Sequence, residues 1–470
     1  MSLSLSELSS VSNIGFSVFD QLSYSDSALS FGDILSADIV RELFAGEDVL
    51  FGCGDNDIWN TGLTLWSFIG QVLQDGKQRS CNAAVTNATR YMVERGLTPP
   101  SCDSGEYCRA RGKLNTEVMR KLVTEICRKM TEATPQNWLW HNKDVKLVDG
   151  FTFTMPDTPE NQNEFPQNPR QKPGIGFPIA RACAILSCTD GCISDIAIGP
   201  YKGKETGESA LLRQILHNFQ PDDIMLADRC FCSYWILAIL KMRGVDGCMR
   251  LHQLRKVDES KVKWLGGNDY IDTWYKPQKA GWISPELYEQ MPEKLEIRIC
   301  SFDSKAKGKS EPLEVATTLT DPELYPASDI GRLYDYRWSI ELDINSIKTS
   351  LNLDHVRCKT PDMVRCEMWI TLLAYNMVRL VCAQAAYVHN KYPRQMSFTI
   401  ACNTLLNQWL MPPREEIREI LGRHNLLQIA RNEVGNRPGR IEPRVVKRRV
   451  TNYTYMTKPR AQYKICTTAE

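Results

Sequence analysis

The order of strand and helix patterns in the middle of this 470-residue chain restricts its possible folds more than any other feature. Alternating apolar residues predict strands, and periodicity of three and four residues predicts helices. A Thr189-Asp190-Gly191 turn joins the second and third strands as a hairpin. Three strands, then helix, strand, helix and strand, predict a mixed sheet covered by helices on both faces. In chain order these elements span 146–155, 179–187, 192–198, 208–219, 223–227, 233–242 and 247–252.

This is the order of an RNase H-like α/β core. A doubly wound nucleotide-binding domain is the weaker competitor, because neither G-x-G-x-x-G nor a phosphate-binding loop follows any strand. From 255 to 329 the pattern changes to short strands and loops, which indicates a β-rich insertion. Helical periodicity returns over 330–351 and 361–388, and we expect these two helices to complete the core.

Helical patterns also flank the predicted core. Before it, periodic apolar positions at 63–73, 82–95 and 115–133 predict a small helical domain. After it, the chain is helical and then basic. The sequence is therefore divided into 1–144 (mainly helical), 145–254 (first part of the core), 255–329 (insertion), 330–400 (second part of the core) and 401–470 (helical and basic).

Charge is distributed unevenly along the chain, although 57 basic residues nearly balance 56 acidic ones. Residues 1–40 hold five acids and no base, whereas residues 431–464 hold ten basic and two acidic residues. A basic tail interrupted by prolines and tyrosines is suited to a phosphate backbone. The alternative is a solvated tail that only improves solubility.

Cysteines and apolar segments argue against several other classes of protein. The 17 cysteines never occur as C-x-x-C, so we expect reduced thiols and neither zinc sites nor disulfides. The most apolar stretch, 368–388, contains Asn376, Arg379 and Gln384, which predicts a buried helix and no membrane span. The first basic residue is Arg41, which argues against a secretory signal. We expect an intracellular protein.

Four polar residues share one face of the helix predicted from residue 330. Tyr334, Arg337, Glu341 and Lys348 fall within a wedge of about 60°, at about 100° per residue. A hydroxyl, a guanidinium, a carboxylate and an ammonium in one stripe suit a metal ligand flanked by phosphate-binding groups. The alternative is an exposed face on which Arg337 and Glu341 form an ion pair.

The spacing Tyr-x2-Arg-x3-Glu-x6-Lys, in the segment LYDYRWSIELDINSIK, resembles the Y-R-E-K signature of the bacterial insertion-sequence-four transposases. KLVDGFTFTMPDTPEN and IMLADRCFCSYW resemble the two aspartate regions of that family, and PGRIEPRVVKRR resembles its basic C-terminal segment. The order of these motifs agrees with the family from residue 145 to residue 458. The resemblance implies a DDE transposase, which cuts the ends of a mobile element and joins them to target DNA.

The resemblance further implies a catalytic, metal-binding triad of Asp149, Asp228 and Glu341. Asp149 lies on the first predicted core strand, and Asp228 ends a short strand at the carboxyl edge of the sheet, where α/β sites form. Converging carboxylates repel unless cations bridge them, and two Mg²⁺ ions, replaceable by Mn²⁺, suit phosphodiester chemistry. Asp157 is the alternative first acid, and is otherwise a turn residue.

The resemblance implies three groups of DNA contacts. Tyr334, Arg337 and Lys348 are expected to contact the DNA backbone near the transposon end. Trp264, Trp274 and Trp282 are the candidates to stack on a flipped base, with core packing as the alternative for each. The expected contacts of the tail are Arg440, Arg444, Lys447, Arg448 and Arg449.

Two residues depart from the family pattern. Asp343 follows Glu341 where aromatic and basic residues are common in the family, and its angle of about 200° from Glu341 predicts an exposed side chain. Cys230 occupies a position that is usually glycine. We expect this cysteine to alter the packing of the loop and to leave metal binding unchanged.

The sequence as a whole predicts a cut-and-paste transposase that acts as a homodimer on double-stranded DNA. Its substrates would be terminal inverted repeats and target DNA, with DNA-binding regions at 1–144 and 401–470 and a hairpin intermediate implied by the resemblance alone. Such an enzyme would work on nucleoid DNA in the bacterial cytoplasm. The alternatives are an RNase H-like nuclease and a domesticated, catalytically silent DNA-binding protein.

Overall fold

The computed structural model describes residues 16–21, 34–54, 57–258, 260–302, 313–434, 454–459 and 462–463. The five cationic tail residues of the predicted DNA contact, Arg440 to Arg449, lie outside the described residues. The described strands are β1 (Val145–Thr154), β2 (Ile179–Ser187), β3 (Ile193–Pro200), β4 (Ile224–Ala227), β5 (Asp246–Arg250), β6 (Lys263–Gly266), β7 (Asp269–Tyr275), β8 (Lys294–Phe302) and β9 (Leu313–Thr317).

These strands form one mixed sheet in the order β3-β2-β1-β4-β5-β9-β8-β7-β6. β1 is antiparallel to β2 but parallel to β4, and β4 is parallel to β5. The predicted mixed sheet is therefore confirmed. Both faces of the sheet are covered by helices. Successive residues of β1 point to opposite faces, and Leu147 packs in one hydrophobic cluster whereas Val148 packs in the other.

The predicted insertion does not form a sheet of its own. Its last strand, β9, pairs with β5 of the core, so β6 to β9 extend the core sheet. This pairing brings Met249 opposite Ala316, residues far apart in sequence. Strand alternation along the chain carries no information about such a partner, so the sequence could not predict where the strands of the insertion pair.

The helices follow the predicted periodicity closely. Four helices before the sheet begin after a residue whose side chain accepts a hydrogen bond from a backbone N–H of the first turn. This N-cap arrangement stabilises a helix. The N-cap residues are Asn60, Ser80, Asp103 and Asn115. The helices are α1 (Ala37–Gly46), α2 (Thr61–Leu73), α3 (Cys81–Val93), α4 (Ser104–Arg111), α5 (Thr116–Ala133), α6 (Pro159–Glu164), α7 (Glu208–Ile215), α8 (Tyr234–Met242), α9 (Pro285–Gln290), α10 (Ala327–Asp335), α11 (Trp338–Asn345), α12 (Pro361–Val388), α13 (Phe398–Leu410) and α14 (Glu415–Arg431).

The longest helix, α12, is the central core helix that its composition predicts. By length and composition it could cross a membrane, but its apolar window is entirely buried inside the protein. Its polar side chains find hydrogen-bond partners within that core, as Asn376 shows. The amide of Asn376 accepts from the Ile193 N–H (2.9 Å) and donates to the carbonyls of Ile193 (2.9 Å) and Val123 (3.2 Å). These bonds remove the cost of burying the amide.

The signature helix is broken, which corrects the prediction of one continuous helix over 330–351. α10 ends at Asp335, α11 begins at Trp338, and a wider π-helical turn follows over Ser346–Ser350. Such turns are frequent at functional sites. The angular wedge calculated for a straight helix therefore does not describe the four signature residues.

The prediction of an exposed Asp343 is wrong. Its side chain is 1% exposed and accepts hydrogen bonds from two arginines, Arg379 of α12 and Arg394. Arg394 also donates to the carbonyls of Ser187 (2.8 Å) and Cys188 at the end of β2. The partners of Asp343 lie 36 and 51 residues away, so local helix geometry could not predict them.

Candidate active site

Asp149 and Asp228 lie side by side on neighbouring parallel strands. The last described pair between β1 and β4 is Val148 with Ala227, and the two aspartates are the next residues along each strand. Asp228 therefore follows the carboxyl end of β4, where open α/β sheets form their sites, and Asp149 lies beside it in the middle of β1, which continues along β2 to Thr154. The Asp149 carboxylate also accepts a hydrogen bond from the Gly150 N–H at 2.7 Å.

The environment of Asp149 disfavours its charged form. The pKa of this carboxyl is raised to about 6, chiefly by burial and in addition by the negative charges of Asp228 and Glu208. The Gly150 N–H and the Arg337 guanidinium act in the opposite direction. The Gly150 N–H and the Arg337 guanidinium therefore only partly offset the negative charges around Asp149.

Glu341 reaches the same place from α11. It shares with Asp149 a cleft with a volume of about 520 Å³. Asp228 is not among the lining residues of this cleft but lies beside Asp149 on the next strand. The cleft is lined by Asp149, Gly150, Phe151, Thr152, Glu208, Glu341, Ile344, Asn345, Lys348 and Asp354.

The two basic signature residues are paired with acids. Arg337 binds Glu341 at 3.0 Å, the i, i+4 ion pair considered as the alternative for this helix face, and its guanidinium lies 4.5 Å above the Trp338 ring. Lys348 binds Asp354 at 2.9 Å. Both cations therefore lie near the acids of the cleft and are held there by reversible contacts.

The acids of this region suit a hard divalent cation by chemistry, because all of them offer carboxylate oxygens. Within the described ranges, however, no group of three His, Cys, Asp or Glu side chains is arranged to hold a metal ion. The reason is visible at Glu341, whose carboxylate is turned to Arg337. Asp149 and Asp228 are brought together, whereas Glu341 would have to leave Arg337 to join them.

Sequence reasoning missed two features of this region, Glu208 and the role of Cys230. Glu208 is the first residue of α7 and lines the cleft with Asp149. The thiol of Cys230 donates to Asp228 Oδ1 at 2.7 Å and to Glu208 Oε2 at 3.6 Å, and the Cys230 N–H also donates to Asp228 at 2.7 Å. The available signal was the position of Glu208 at the start of the first helix after three strands.

Tyr334 and Asp157 are not placed as direct contacts of the cleft. Tyr334 is 5% exposed, so burial raises the pKa of its hydroxyl and removes its ring from solvent. The expected contact of Tyr334 with the DNA backbone stays a prediction, and only the small exposed part of its side chain could make it. Asp157 is exposed beyond the end of β1 and accepts a hydrogen bond from Gln162 at 2.7 Å, as expected for a turn residue.

The three candidate tryptophans differ in exposure. Trp264 on β6 is 51% exposed, whereas Trp274 on β7 is 1% exposed and donates its ring N–H to Asp272. Stacking of Trp274 on a base is therefore corrected to core packing. Trp282 is half-buried, with the Arg213 guanidinium 4.0 Å from its ring.

Known proteins that are similar to this chain are transposases. The family model described as "Transposase DDE domain" matches residues 140–377. The chain is 25% identical over 403 residues to the transposase InsG for insertion sequence element IS4 of Escherichia coli K12, covering 83% of this chain and 86% of InsG. It is 23% identical over 155 residues to the putative transposase InsZ of the same strain, covering 29% of this chain and 51% of InsZ.

Among solved structures, the chain is similar to the piggyBac transposase synaptic complex with hairpin DNA. The TM-score is 0.42 and the identity is 10%, covering 89% of this chain and 86% of that one. The resemblance to insertion-sequence-four transposases is confirmed by the family model and by InsG. Since that family model spans half of the chain and includes Asp149, Asp228 and Glu341, this protein belongs to the DDE transposases, as a transposase of the insertion-sequence type.

Proposed function

We propose that this transposase cuts the ends of its element by metal-dependent hydrolysis at Asp149, Asp228 and Glu341, and then joins them to target DNA. The observation that carries the proposal is the convergence of these acids. Asp149 on β1 lies beside Asp228, which directly follows the neighbouring strand β4, and Glu341 shares the cleft of Asp149. DDE transposases depend on divalent metal ions in general. We propose Mg²⁺, with Mn²⁺ as its substitute, as two ions.

The acids would hold the cations through their carboxylate oxygens. Asp149 and Asp228 are adjacent already, and Glu341 joins them when its carboxylate leaves Arg337. Bound divalent cations lower the pKa of water and offset charge on the leaving oxygen of a phosphodiester. Ionisation of Asp149, disfavoured by burial and by neighbouring acids, becomes favourable beside a cation.

Release of Glu341 would free Arg337 for the DNA. A guanidinium grips phosphate oxygens in a bidentate manner that an ammonium cannot reproduce. Lys348, at present bound to Asp354 on the wall of the cleft, would take a second phosphate. In the proposed arrangement both basic residues exchange a carboxylate partner for a phosphate when substrate enters.

The proposed reaction conserves the number of phosphate ester bonds after the first cut. A water oxygen attacks phosphorus at the element end, and the bond to the 3′ oxygen breaks, leaving a 3′-hydroxyl. That hydroxyl then attacks a phosphodiester, forming one ester bond as another breaks. By the resemblance, the first such attack falls on the opposite strand and gives a hairpin, and the last falls on target DNA.

Further parts of the proposal concern the fold and the assembly. The strand order β3-β2-β1-β4-β5, with β1, β4 and β5 parallel, supports an RNase H-like core. Exposed Trp264 is the proposed base-stacking residue, and its neighbour Lys263 adds positive charge. We place DNA-binding surfaces in 1–144 and in the basic tail, and a homodimer on paired ends.

The test is cleavage of a supercoiled plasmid that carries the DNA flanking the gene, with Mg²⁺ or Mn²⁺. The wild-type protein should cut at discrete ends, and Glu341→Gln should not. Glu94→Gln is the matched control, because Glu94 forms the same kind of i, i+4 pair with Arg90, at 3.0 Å, on another helix.

Other outcomes would favour the competing functions. Random nicking that Glu341→Gln abolishes would indicate a simple RNase H-like nuclease. Binding of the ends by the wild-type protein without cleavage in either metal would indicate a catalytically silent DNA-binding protein. Cleavage that survives in Asp149→Asn, Asp228→Asn or Glu341→Gln would remove that residue from the proposed triad.

A further inference from the structure

We propose that Glu208 is a fourth carboxylate of the active site and a ligand of the divalent cation held near Asp149 and Asp228. This inference rests on the proposed function, since it assigns a further ligand to the same cation. It concerns a residue outside the Y-R-E-K signature and outside both aspartate regions. Three observations carry it: the approach of Glu208 to β1, a thiol shared with Asp228, and the lack of a basic partner for Glu208.

The first observation is how closely Glu208 approaches β1. α7 packs on β2 and β3, and its first residue lies directly against Gly150, the residue after Asp149. A Cβ atom at position 150 would lie 2.3 Å from Glu208 Cγ and Cδ and 2.5 Å from Oε1. Any larger residue at position 150 would therefore require the Glu208 side chain to move away from Asp149.

The second observation is that Glu208 and Asp228 flank the same thiol. The Cys230 Sγ atom lies 2.7 Å from Asp228 Oδ1 and 3.6 Å from Glu208 Oε2. The two carboxylates therefore approach one point from different elements, α7 and the loop after β4. The thiol itself remains protonated, because burial and the two acids raise the pKa of Cys230.

The third observation is the lack of a basic partner. The one basic residue of α7, Arg213, pairs with Glu205. Within the ranges that the structure describes, Glu208 has no Lys, Arg or His at ion-pair distance. An acid in the first turn of a helix is favoured by the helix dipole, and this is the competing explanation.

The helix dipole alone does not account for the position of this side chain. An acid that only stabilises its helix has no need to approach the acids of other elements, whereas Glu208 lies against Gly150, the residue after Asp149, and shares the Cys230 thiol with Asp228. A cation between these carboxylates would convert their repulsion into attraction.

The experiment compares Mn²⁺ binding by the full-length protein without DNA, followed through the electron paramagnetic resonance signal of free Mn²⁺. Glu208→Gln, which preserves shape, should weaken Mn²⁺ binding by about tenfold or more, an effect of the size seen when metal-site partners are removed. Gly150→Ala should act in the same direction, because its methyl group displaces the Glu208 side chain. Glu160→Gln, another acid in the first turn of a helix, should bind Mn²⁺ like the wild-type protein.

The possible results separate this proposal from the broader one. Equal Mn²⁺ affinity and equal plasmid cleavage in Glu208→Gln and wild type would overturn the role of Glu208 and leave the triad intact. The absence of Mn²⁺ binding by the wild-type protein would also overturn it. Cleavage and Mn²⁺ binding that both survive Asp149→Asn would instead overturn the proposed triad. Circular dichroism and the unfolding temperature of each variant establish that it is folded.

Discussion

At the scale of single residues, the ionisation of Asp149 links the site to stability. The folded protein raises the pKa of this carboxyl from 3.8 to about 6, mainly by burial. An ionised Asp149 therefore costs stability above pH 6, whereas below about pH 4 it is protonated in folded and unfolded chains alike. The cost in the absence of metal is on the order of 1–3 kcal/mol.

Asp149→Asn should consequently stabilise the metal-free protein at pH 7.5. Urea unfolding at pH 7.5 and pH 4.5 measures the effect. The gain should fall to about a third at pH 4.5, because Asp149 is then protonated in the folded wild-type chain but still largely ionised in the unfolded one. Asp157→Asn, an exposed carboxylate near the end of β1, is the control and should change little at either pH. An unchanged midpoint for Asp149→Asn at pH 7.5 would contradict this prediction.

At the scale of elements, the helix that carries Glu341 is anchored through Asp343. Its buried carboxylate binds Arg379 and Arg394, which connect α11 to α12 and to the end of β2. Removing one member of a buried ion network leaves the others uncompensated, at a cost of about 3–5 kcal/mol. Asp343→Asn should lower the free energy of unfolding by about that amount, measured in urea.

The control for this substitution is Asp335→Asn, which removes an exposed carboxylate at the end of α10. Its effect should stay within about 0.5 kcal/mol, as for most surface changes. Equal stability of the two variants would show that the network around Asp343 contributes little to holding α11.

The strands of the insertion give a second prediction at this scale. Trp274→Ala removes a buried ring and should destabilise the protein by about 3–5 kcal/mol. Trp264→Ala removes an exposed ring and should leave the unfolding midpoint nearly unchanged. The same substitution should weaken binding to DNA with an unpaired base by about tenfold, because stacking on a base contributes about 1–3 kcal/mol. Retained DNA affinity in Trp264→Ala would remove this residue from the proposed contact.

How much of the structure the sequence could predict depends on how far apart in sequence the interacting residues lie. Local periodicity located β1, β2 and α12 within a residue or two. The family resemblance selected Asp149, Asp228 and Glu341, of which the structure brings Asp149 and Asp228 side by side. Local periodicity could not locate the pairing of β5 with β9 or the two arginines around Asp343, because these depend on residues distant in sequence. Glu208 was missed for the same reason: its significance depends on the neighbouring strand.

At the scale of the whole molecule, the uneven charge distribution predicts salt-dependent binding. The cations of the tail lie outside the described residues, so the prediction rests on sequence alone. The test replaces five cations of the tail with glutamine: Arg440, Arg444, Lys447, Arg448 and Arg449. The slope of log affinity against log salt should then fall by about 0.9 for each phosphate that the tail no longer neutralises. Filter binding to a duplex of the element end at several salt concentrations measures this slope. An unchanged slope would assign the tail to solubility.

The continuous sheet has a geometric consequence for the DNA. Five hydrogen-bonded strand steps separate β4, which is directly followed by Asp228, from β6, which carries Trp264. At about 4.8 Å per step they span at most about 24 Å, the length of roughly seven base pairs. Because each step is a ladder of backbone hydrogen bonds, this span cannot be adjusted by the swing of a hinged domain. The sheet would thereby fix the distance between the cut phosphate and the stacked base.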